Sequence, residues 1–412
     1  LADMLATVFE RRPGLWPGGG GDTRPLPALT ADLIGARDEV SGLTRARAIL
    51  DRYATLDDAG KRAFFRHLAE DLAIDPARVR AALAACEAGQ SRASYRAFMA
   101  AAEPARQELI RRLNQPPGAT HALVNMRADL LRLGRGDDAL AALDLDFRHL
   151  FASWFNRGFL VLKPINWETP AHILDRIIAY EAVHAIGDWD DLRRRVAPAD
   201  RRCFAFFHPA MPDEPLIFVQ VALTSRLPGS VQGLLAEDRA TLGAEAADTA
   251  VFYSISNCQK GLAGISFGNF LIKQVVADLA AELPRLKTFV TLSPIPGLTA
   301  WLTEQAIPFD PADDARMKAL AARYLTGATR ADGAPRDPVA RFHLGNGAAL
   351  HRLHARADTS PNGQAQSGGV MVNYLYDPAS LSQNHERFAT AREIAASAEV
   401  RTLAAAADKT LA

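Results

Sequence analysis

Two short segments in the second half of the chain place a serine and a histidine where each could act on a bound substrate. Ser293 follows an apolar, β-branched run and opens the sequence Ser-Pro-Ile-Pro-Gly297, whose prolines and glycine restrict the backbone. A hydroxyl held this rigidly could orient a ligand, although a serine that starts a turn is the more common interpretation. His343 lies between apolar neighbours, where an imidazole could transfer a proton or simply belong to the core.

A third segment carries three glycines between a predicted strand and a predicted helix, at Gly261, Gly264 and Gly268. Glycines let the backbone approach a ligand closely, and N–H groups at a helix start can bind a pyrophosphate. Lys260 and Lys273 could add positive charge. By spacing alone an ordinary tight turn is the better interpretation, because the pattern is neither the dinucleotide fingerprint nor the Walker loop. It loosely resembles the loop that holds coenzyme A in GCN5-related acetyltransferases.

Two tyrosines lie near the end of the last apolar segment. Tyr374 and Tyr376 are two positions apart, so on a strand they share one face. An alternating aromatic pair of this kind is normally part of the core.

The elements that must position these residues follow from the apolar runs. Short runs rich in β-branched and aromatic residues predict buried strands, and they lie at 158–163, 203–208, 216–224, 250–256, 288–292 and 369–376. Helical spacing covers 267–283, and an Ala-rich helix is predicted over 384–407. Strands interspersed with helices indicate a mixed α/β domain.

The chain has 412 residues, which favours two domains. Residues 1–27 are rich in Gly and Pro and predict a flexible segment. Residues 28–154 are dominated by Ala, Leu, Arg and Glu, which predicts an all-helical bundle. The catalytic candidates all fall in residues 155–412. The expected fold class is therefore α+β, a helical domain followed by a mixed α/β domain.

Charge and cysteine usage exclude several classes of partner. Lys plus Arg equals Asp plus Glu, at 47 each, so nothing draws the whole molecule to nucleic acid or to an anionic membrane. No apolar run approaches the length of a membrane span. Three widely spaced cysteines argue against disulfides and fit a cytoplasmic location. His351 and His354 could share a helical face, but such a pair is more often surface than a zinc site, so we expect no structural metal.

Taken together, the segments resemble those of malonyl-CoA decarboxylases. Four of them occur in the same order: 254–273 (SISNCQKGLAGISFGNFLIK), 291–297 (TLSPIPG), 341–348 (RFHLGNGA) and 371–377 (MVNYLYD). The resemblance is dense from about residue 155 to 377. The N-terminal region agrees in helical type and length but carries no distinctive motif.

The resemblance implies a helical oligomerisation domain and a catalytic domain of GCN5-related acetyltransferase type. It implies conversion of malonyl-CoA to acetyl-CoA and carbon dioxide without metal or biotin, so that coenzyme A is part of the substrate. It also implies a homo-oligomer, a dimer or a tetramer. Ser293 would position the carboxylate or accept a proton, and His343 would donate a proton to the enolate.

The resemblance further implies a set of residues that bind the substrate and its coenzyme A part. These are Ser254, Gln259, Gly261, Ala263, Gly264, Ile265, Ser266, Phe267, Gly268, Asn269 and Tyr376. Some members carry Glu at the position of Ser266, so we assign that residue no acid or base role. Two alternatives stay open: a CoA-dependent acyltransferase on the same fold, and a non-catalytic CoA-binding protein.

Overall fold

The computed structural model describes residues 24–265 and 271–411. These residues form two compact units. The first contains residues 24–159 with Pro209–Met211 and Gln259–Ile265, and the second contains Leu160–His208, Pro212–Cys258 and residues 271–411. The sequence expectation places residues 259–265 in the C-terminal domain, whereas in the structure they belong to the helical unit. No described helix combines the length and apolar character needed to cross a membrane.

The first unit is helical. Its helices are α1 (Leu26–Gly35), α2 (Glu39–Ala54), α3 (Asp58–Glu70), α4 (Pro76–Ala88), α5 (Arg92–Ala102), α6 (Ala105–Leu113), α7 (Ala119–Leu133) and α8 (Asp138–Trp154). Helix α1 includes residues 26 and 27, which the sequence expectation assigned to a flexible segment; residues 1–23 of that segment lie outside the described residues. Asp75 caps α4, with Pro76 at the first helical position, as their types predict.

The core of the helical unit is made of apolar residues from α1, α2, α3, α6, α7 and α8. Phe65, Leu109, Leu123 and Phe147 are each fully buried. Helix α4 buries none of its residues, and with α5 it leaves large apolar side chains exposed. The helical bundle predicted from composition therefore has a conventional core and one hairpin, α4–α5, outside it.

The second unit is built on a sheet of eight strands. They are β1 (Val161–Ile165), β2 (Arg201–Phe207), β3 (Ile217–Thr224), β4 (Thr249–Asn257), β5 (Thr288–Thr291), β6 (Ser293–Pro294), β7 (Ala349–His354) and β8 (Met371–Leu375). Their order is β1-β2-β3-β4-β5-β8-β6, with β7 paired to β8. Strands β4 and β5 are parallel and the other pairs are antiparallel. The register shifts between Gln220 and Val221, where β3 pairs with β4.

Helices cover the sheet. They are α9 (Ala171–Tyr180), α10 (Trp189–Val196), α11 (Val231–Leu235), α12 (Leu271–Glu282), α13 (Leu298–Glu304), α14 (Asp314–Gly327), α15 (Pro338–Gly345), α16 (Pro361–Ser367), α17 (Leu381–Ala391) and α18 (Ala398–Leu411). Helix α12 lies between β4 and β5, as a parallel pair requires. Buried side chains of α9 and α10 pack with those of β1, β2 and β3. The expected α+β class is confirmed.

Two local predictions are wrong. His351 and His354 lie on strand β7 rather than on a helix. The single helix expected over 384–407 is two helices, because the chain turns at Arg392, whose φ is 55°, and Ala396 forms a bridge with Leu350. The helix expected from residue 267 is described from Leu271 onward.

Candidate active site

Ser293 and His343 meet in the interior of the second unit. Ser293 opens β6, directly after β5, and His343 lies in the last turn of α15. The distance between Ser293 Oγ and His343 Nε2 is 3.2 Å. Both residues are buried, with 5% and 2% of their surface exposed. Two motifs identified separately in the sequence therefore form one hydrogen-bonded pair.

Two tyrosines also contact the imidazole: Tyr374, on β8, and Tyr376, directly after it. Tyr376 Oη lies 2.8 Å from His343 Nδ1. The ring of Tyr374 stacks on the imidazole, with centroids 4.4 Å apart and planes at 23°. Tyr376 was predicted as a substrate contact, whereas here its hydroxyl contacts the histidine. The pair expected from period-two spacing is thus buried, and it also fixes the orientation of His343.

Burial sets the protonation of these groups. The pKa of His343 is lowered to about 3 because its ring is removed from water. Burial raises the pKa of Tyr376 well above its ordinary value. At neutral pH the site in this state therefore contains a neutral imidazole and a protonated phenol.

Thr291 is a site residue that the sequence analysis missed. Ser293 Oγ donates a hydrogen bond of 2.8 Å to Thr291 Oγ1. That oxygen also accepts from the backbone N–H of Tyr374, at 3.1 Å. The sequence could have indicated Thr291, because Thr291 and Ser293 are two positions apart and so face the same way on an extended chain.

Asp337 caps the helix that carries His343. Its Oδ1 accepts hydrogen bonds of 2.9 Å from the backbone N–H groups of Val339 and Ala340. The side chain is buried, which raises its pKa to about 6. A capping carboxylate at this position fixes where α15 begins, and hence where His343 lies.

Ser254 is hydrogen-bonded to a carboxylate. Its hydroxyl lies 2.8 and 2.7 Å from the two carboxylate oxygens of Glu181, which also accept from Gln220 Nε2 at 2.8 Å. Phe252, two residues before Ser254 on β4, packs on Tyr376 with ring centroids 6.3 Å apart. Glu181 was not predicted as a site residue.

The predicted coenzyme A loop is described only in part. Ser266, Phe267, Gly268 and Asn269 lie outside the described residues. Gln259, Gly261, Ala263, Gly264 and Ile265 belong to the helical unit, not to the unit that contains Ser293.

Within the helical unit, this loop is fixed by helix α7. Arg127 Nη1 donates to the carbonyl oxygens of Gly261 and Ala263, at 2.6 and 2.9 Å. A Cβ at Gly261 would lie 1.8 Å from the carbonyl oxygen of Val124, so only glycine fits. Gly264 has a φ of +76°, the left-handed region that favours glycine, with the Arg148 guanidinium 3.9 Å from its would-be Cβ. Gly261 is therefore required by the packing of the loop on α7. Gly264 forms a left-handed turn, and Arg148 places a positive charge beside that turn.

The remaining reactive groups are the cysteines and the side chains that could bind a metal ion. Cys203 and Cys258 are buried and Cys86 is partly buried, and all three are free thiols. Over residues 24–265 and 271–411, no three His, Cys, Asp or Glu side chains are grouped so that they could hold a metal ion.

Comparison with known proteins gives the family. The signature described as the malonyl-CoA decarboxylase N-terminal domain matches residues 72–155, and that of the C-terminal domain matches 158–312 and 311–412. A mitochondrial malonyl-CoA decarboxylase of Anser anser anser is 36% identical over 354 residues, covering 72% of this chain and 69% of the relative. That of Mus musculus is 31% identical over 414 residues, covering 86% and 84%.

Solved structures agree with these matches. The crystal structure of malonyl-CoA decarboxylase from Rhodopseudomonas palustris is 48% identical, with a TM-score of 0.86, and covers 92% of this chain and 98% of that one. The enzyme from Cupriavidus metallidurans is 36% identical, with a TM-score of 0.73 and the same coverage. The chain therefore belongs to the malonyl-CoA decarboxylase family.

Proposed function

We propose that this protein decarboxylates malonyl-CoA to acetyl-CoA and carbon dioxide, and that Ser293 and His343 carry the reaction. The observation that supports this most directly is the buried hydrogen bond between Ser293 and His343, in a chain of this family. Tyr376 is hydrogen-bonded to the other ring nitrogen of His343, and Thr291 accepts a hydrogen bond from Ser293.

The reaction needs few groups. The bond between the carboxylate carbon and the α-carbon breaks, and its electron pair passes into an enolate shared with the thioester oxygen. Carbon dioxide leaves, and the α-carbon then takes up one proton. The enzyme must therefore orient the carboxylate, stabilise the enolate through hydrogen-bond donors and supply the proton. None of these tasks requires a metal or biotin, and we propose that the reaction uses neither.

Ser293 is suited to orienting the carboxylate. Its hydroxyl is held between Thr291 and His343, so its direction is set before substrate binds. A substrate carboxylate that replaces Thr291 as the acceptor of the Ser293 proton would be fixed relative to the thioester plane. A fixed orientation matters because the breaking bond must align with the π system that receives its electrons.

His343 is suited to supplying the proton, but not as a permanent imidazolium. Since the phenol of Tyr376 stays protonated, it donates to Nδ1, which leaves the hydrogen on Nε2, toward Ser293. An incoming carboxylate beside the ring raises the pKa of His343, because a nearby negative charge favours the charged imidazole. We propose that His343 gains a proton with substrate binding and delivers it to the enolate.

The turn containing Gly264 supports the binding of coenzyme A. Its left-handed glycine and the exposed guanidinium of Arg148 offer backbone N–H groups and positive charge to an anion. We assign the coenzyme A phosphates to residues 259–269, of which residues 259–265 are described. Arg148 joins this set as a residue that the sequence analysis missed.

Self-association is proposed for the helical unit, as a dimer or tetramer. Four large apolar residues on or beside the α4–α5 hairpin are exposed: Ile74, Leu83, Tyr95 and Met99, at 46%, 41%, 61% and 50%. Such a patch on a hairpin that buries only Ala101 is typical of a protein interface.

The test of this function is product analysis without an acceptor. The protein, incubated with malonyl-CoA alone after exhaustive chelation, is expected to give acetyl-CoA and carbon dioxide in equal amounts. If malonyl-CoA stays intact and an added amine is acylated, the protein is instead an acyltransferase. Activity lost on chelation and restored by a divalent metal would refute the metal-free mechanism.

A further inference from the structure

A cleft in the second unit is separate from the residues discussed so far. It has a volume of about 840 Å³ and is lined by the start of β2, the end of β3 and the segment 225–242. Its lining does not include Ser254, Ser293, His343 or Tyr376. Arg201, at the start of β2, is part of its lining and has no role in the proposed reaction.

The lining of this cleft is positively charged. It contains three guanidinium groups, of Arg201, Arg226 and Arg239, and one carboxylate, of Asp200. Three positive charges and one negative charge leave a net charge of +2. Arg239 uses both of its terminal nitrogens on Asp200, so that carboxylate is already committed. Arg226 is exposed, and no described carboxylate forms an ion pair with it.

Arg201 is a buried cation that lacks a full set of partners. Only 3% of its surface is exposed. Its terminal nitrogens donate to the carbonyl oxygens of Asp200 and Leu234, at 3.1 and 2.6 Å, and the Asp200 carboxylate is 3.7 Å away. Its Nε has no hydrogen-bond partner. A buried, incompletely paired cation is costly, and an anion bound nearby offsets that cost.

A second cavity also has Arg201 in its lining. It has a volume of about 160 Å³ and shares Arg201, Arg239 and Thr241 with the cleft. Its other charged residues balance, because Arg194 pairs with Glu237 and Arg195 pairs with Asp191. Arg201 therefore lines both cavities.

The neutral part of the lining indicates what kind of anion fits. Leu227, Pro228 and Leu242 are partly exposed in the cleft, and Ser225 and Thr241 add hydroxyls. No aromatic side chain lines the cleft, so nothing there can stack on a nucleobase. Guanidinium groups bind carboxylates and phosphates through paired N–H donors.

We propose that the cleft is a binding site for a small aliphatic dianion, whose charge of −2 matches the charge of the lining. The anionic groups would contact Arg226, Arg239 and Arg201, and the hydrocarbon part would lie against Leu227 and Pro228. A dicarboxylate and an alkyl phosphate share this chemistry. The site is distinct from that of the proposed decarboxylation and does not depend on it.

The test is calorimetric titration of the full chain with succinate and with glycerol 3-phosphate, which separates the two sources of dianion. At least one is expected to bind saturably with one-to-one stoichiometry, and about tenfold more tightly than acetate. Arg226→Gln should weaken binding about tenfold, because it removes one charge-assisted contact from an exposed side chain without leaving a buried partner unpaired. The matched control is Arg285→Gln, an exposed arginine outside the cleft, which should bind as the unaltered protein does.

A second variant addresses the interior of the cleft. Arg239→Gln should weaken binding further, with folding checked by circular dichroism because Asp200 loses its partner. Ser293→Ala should leave the affinity unchanged, which separates the cleft from the proposed active site. The proposal is overturned if neither dianion saturates below about 20 mM, a Kd weaker than one good ion pair provides. It is equally overturned if acetate binds as tightly as the dianions, or if Arg226→Gln and Arg285→Gln behave alike.

Discussion

Ser293 Oγ and His343 Nε2 lie 3.2 Å apart, although the two residues are 50 positions apart in the chain. The contact depends on three elements that are far apart in sequence and meet in the fold. Strand β6 carries Ser293, α15 carries His343, and β8 and its end supply the tyrosines that contact the ring. A change in any of these elements should alter the reaction without altering the groups that react.

Tyr376→Phe should lower kcat and leave KM nearly unchanged. The substitution keeps the ring but removes the hydroxyl that lies 2.8 Å from His343 Nδ1. Loss of this bond frees the imidazole to adopt the other tautomer, and we expect kcat to fall about 10- to 100-fold. Steady-state kinetics measure this. Tyr53→Phe, a buried tyrosine whose hydroxyl donates to Asp129 in the helical unit, is the control. Equal kcat values for the two variants would show that Tyr376 is only a core residue.

His343 should stay neutral in the substrate-free protein from pH 8 to pH 5. Its pKa is lowered to about 3 by burial, below the value of about 6.5 in the unfolded chain. Between these values the unfolded chain binds a proton that the folded chain does not. His343 therefore contributes stability that is present above pH 6.5 and lost as the pH falls toward 3.

The measurement for His343 is NMR of the protein with ¹³C-labelled histidine, assigned with His343→Asn. The resonance should keep its neutral position down to pH 5 and move toward the imidazolium position when an uncleavable malonyl-CoA analogue binds. A titration centred near pH 6.5 in the substrate-free protein would contradict the effect of burial. A resonance unaffected by the analogue would contradict proton uptake on substrate binding.

Arg148→Gln should raise KM for malonyl-CoA several-fold with little change in kcat. The substitution removes a positive charge beside the Gly264 turn, which we assign to the coenzyme A phosphates. Arg92→Gln, an exposed arginine on α5, should change neither constant. The assignment fails if the two variants have the same KM.

The two glycines of the loop should respond differently to alanine. Gly261→Ala places a methyl group against the Val124 carbonyl oxygen and should destabilise the helical unit. Gly264→Ala meets no close atom but strains a left-handed residue, at a cost of about 1 kcal/mol, so it should fold and show a raised KM. Thermal unfolding and kinetics of the two variants, measured side by side, test this. A stable Gly261→Ala protein would contradict the packing role.

Charge on the α4–α5 hairpin should break the oligomer that we propose. Leu83→Lys combined with Tyr95→Asp places charges on two exposed apolar positions and should reduce the mass measured by light scattering to that of one chain. Leu145→Lys, at an exposed leucine on α8, is the control and should leave the mass unchanged. An unchanged mass for the double variant would show that the contacts lie elsewhere.

The sequence singled out the two candidate groups but not their connection. The motifs drew attention to Ser293 and His343, although the residues alone favoured a turn serine and a core histidine, and only the resemblance to malonyl-CoA decarboxylases implied their roles. Their contact could not be predicted, since it depends on the pairing of β5, β6 and β8 and on the start of α15 at Asp337. Glu181 was missed for a similar reason, because only the fold brings it to Ser254.

Two segments show what local patterns leave out. Gly261 stays a predicted substrate contact, but the sequence could not show that its lack of a side chain is also required by the Val124 carbonyl of a distant helix. The segment around His351 and His354 was not recognised as a strand. Its pairing with β8 shifts register between Leu350 and Arg352, which breaks the period-two pattern that reveals strands.

Ser293 and His343 are the two residues that we propose carry out the decarboxylation of malonyl-CoA. The most direct test is release of labelled carbon dioxide from malonyl-CoA labelled in its free carboxyl group, by the unaltered protein, Ser293→Ala, His343→Asn and the exposed control His149→Asn. The unaltered protein and the control should release label at equal rates, and His343→Asn should lose about 10²–10⁴-fold in kcat, with a large loss also for Ser293→Ala. Release of label by His343→Asn at the rate of the control would contradict the claim.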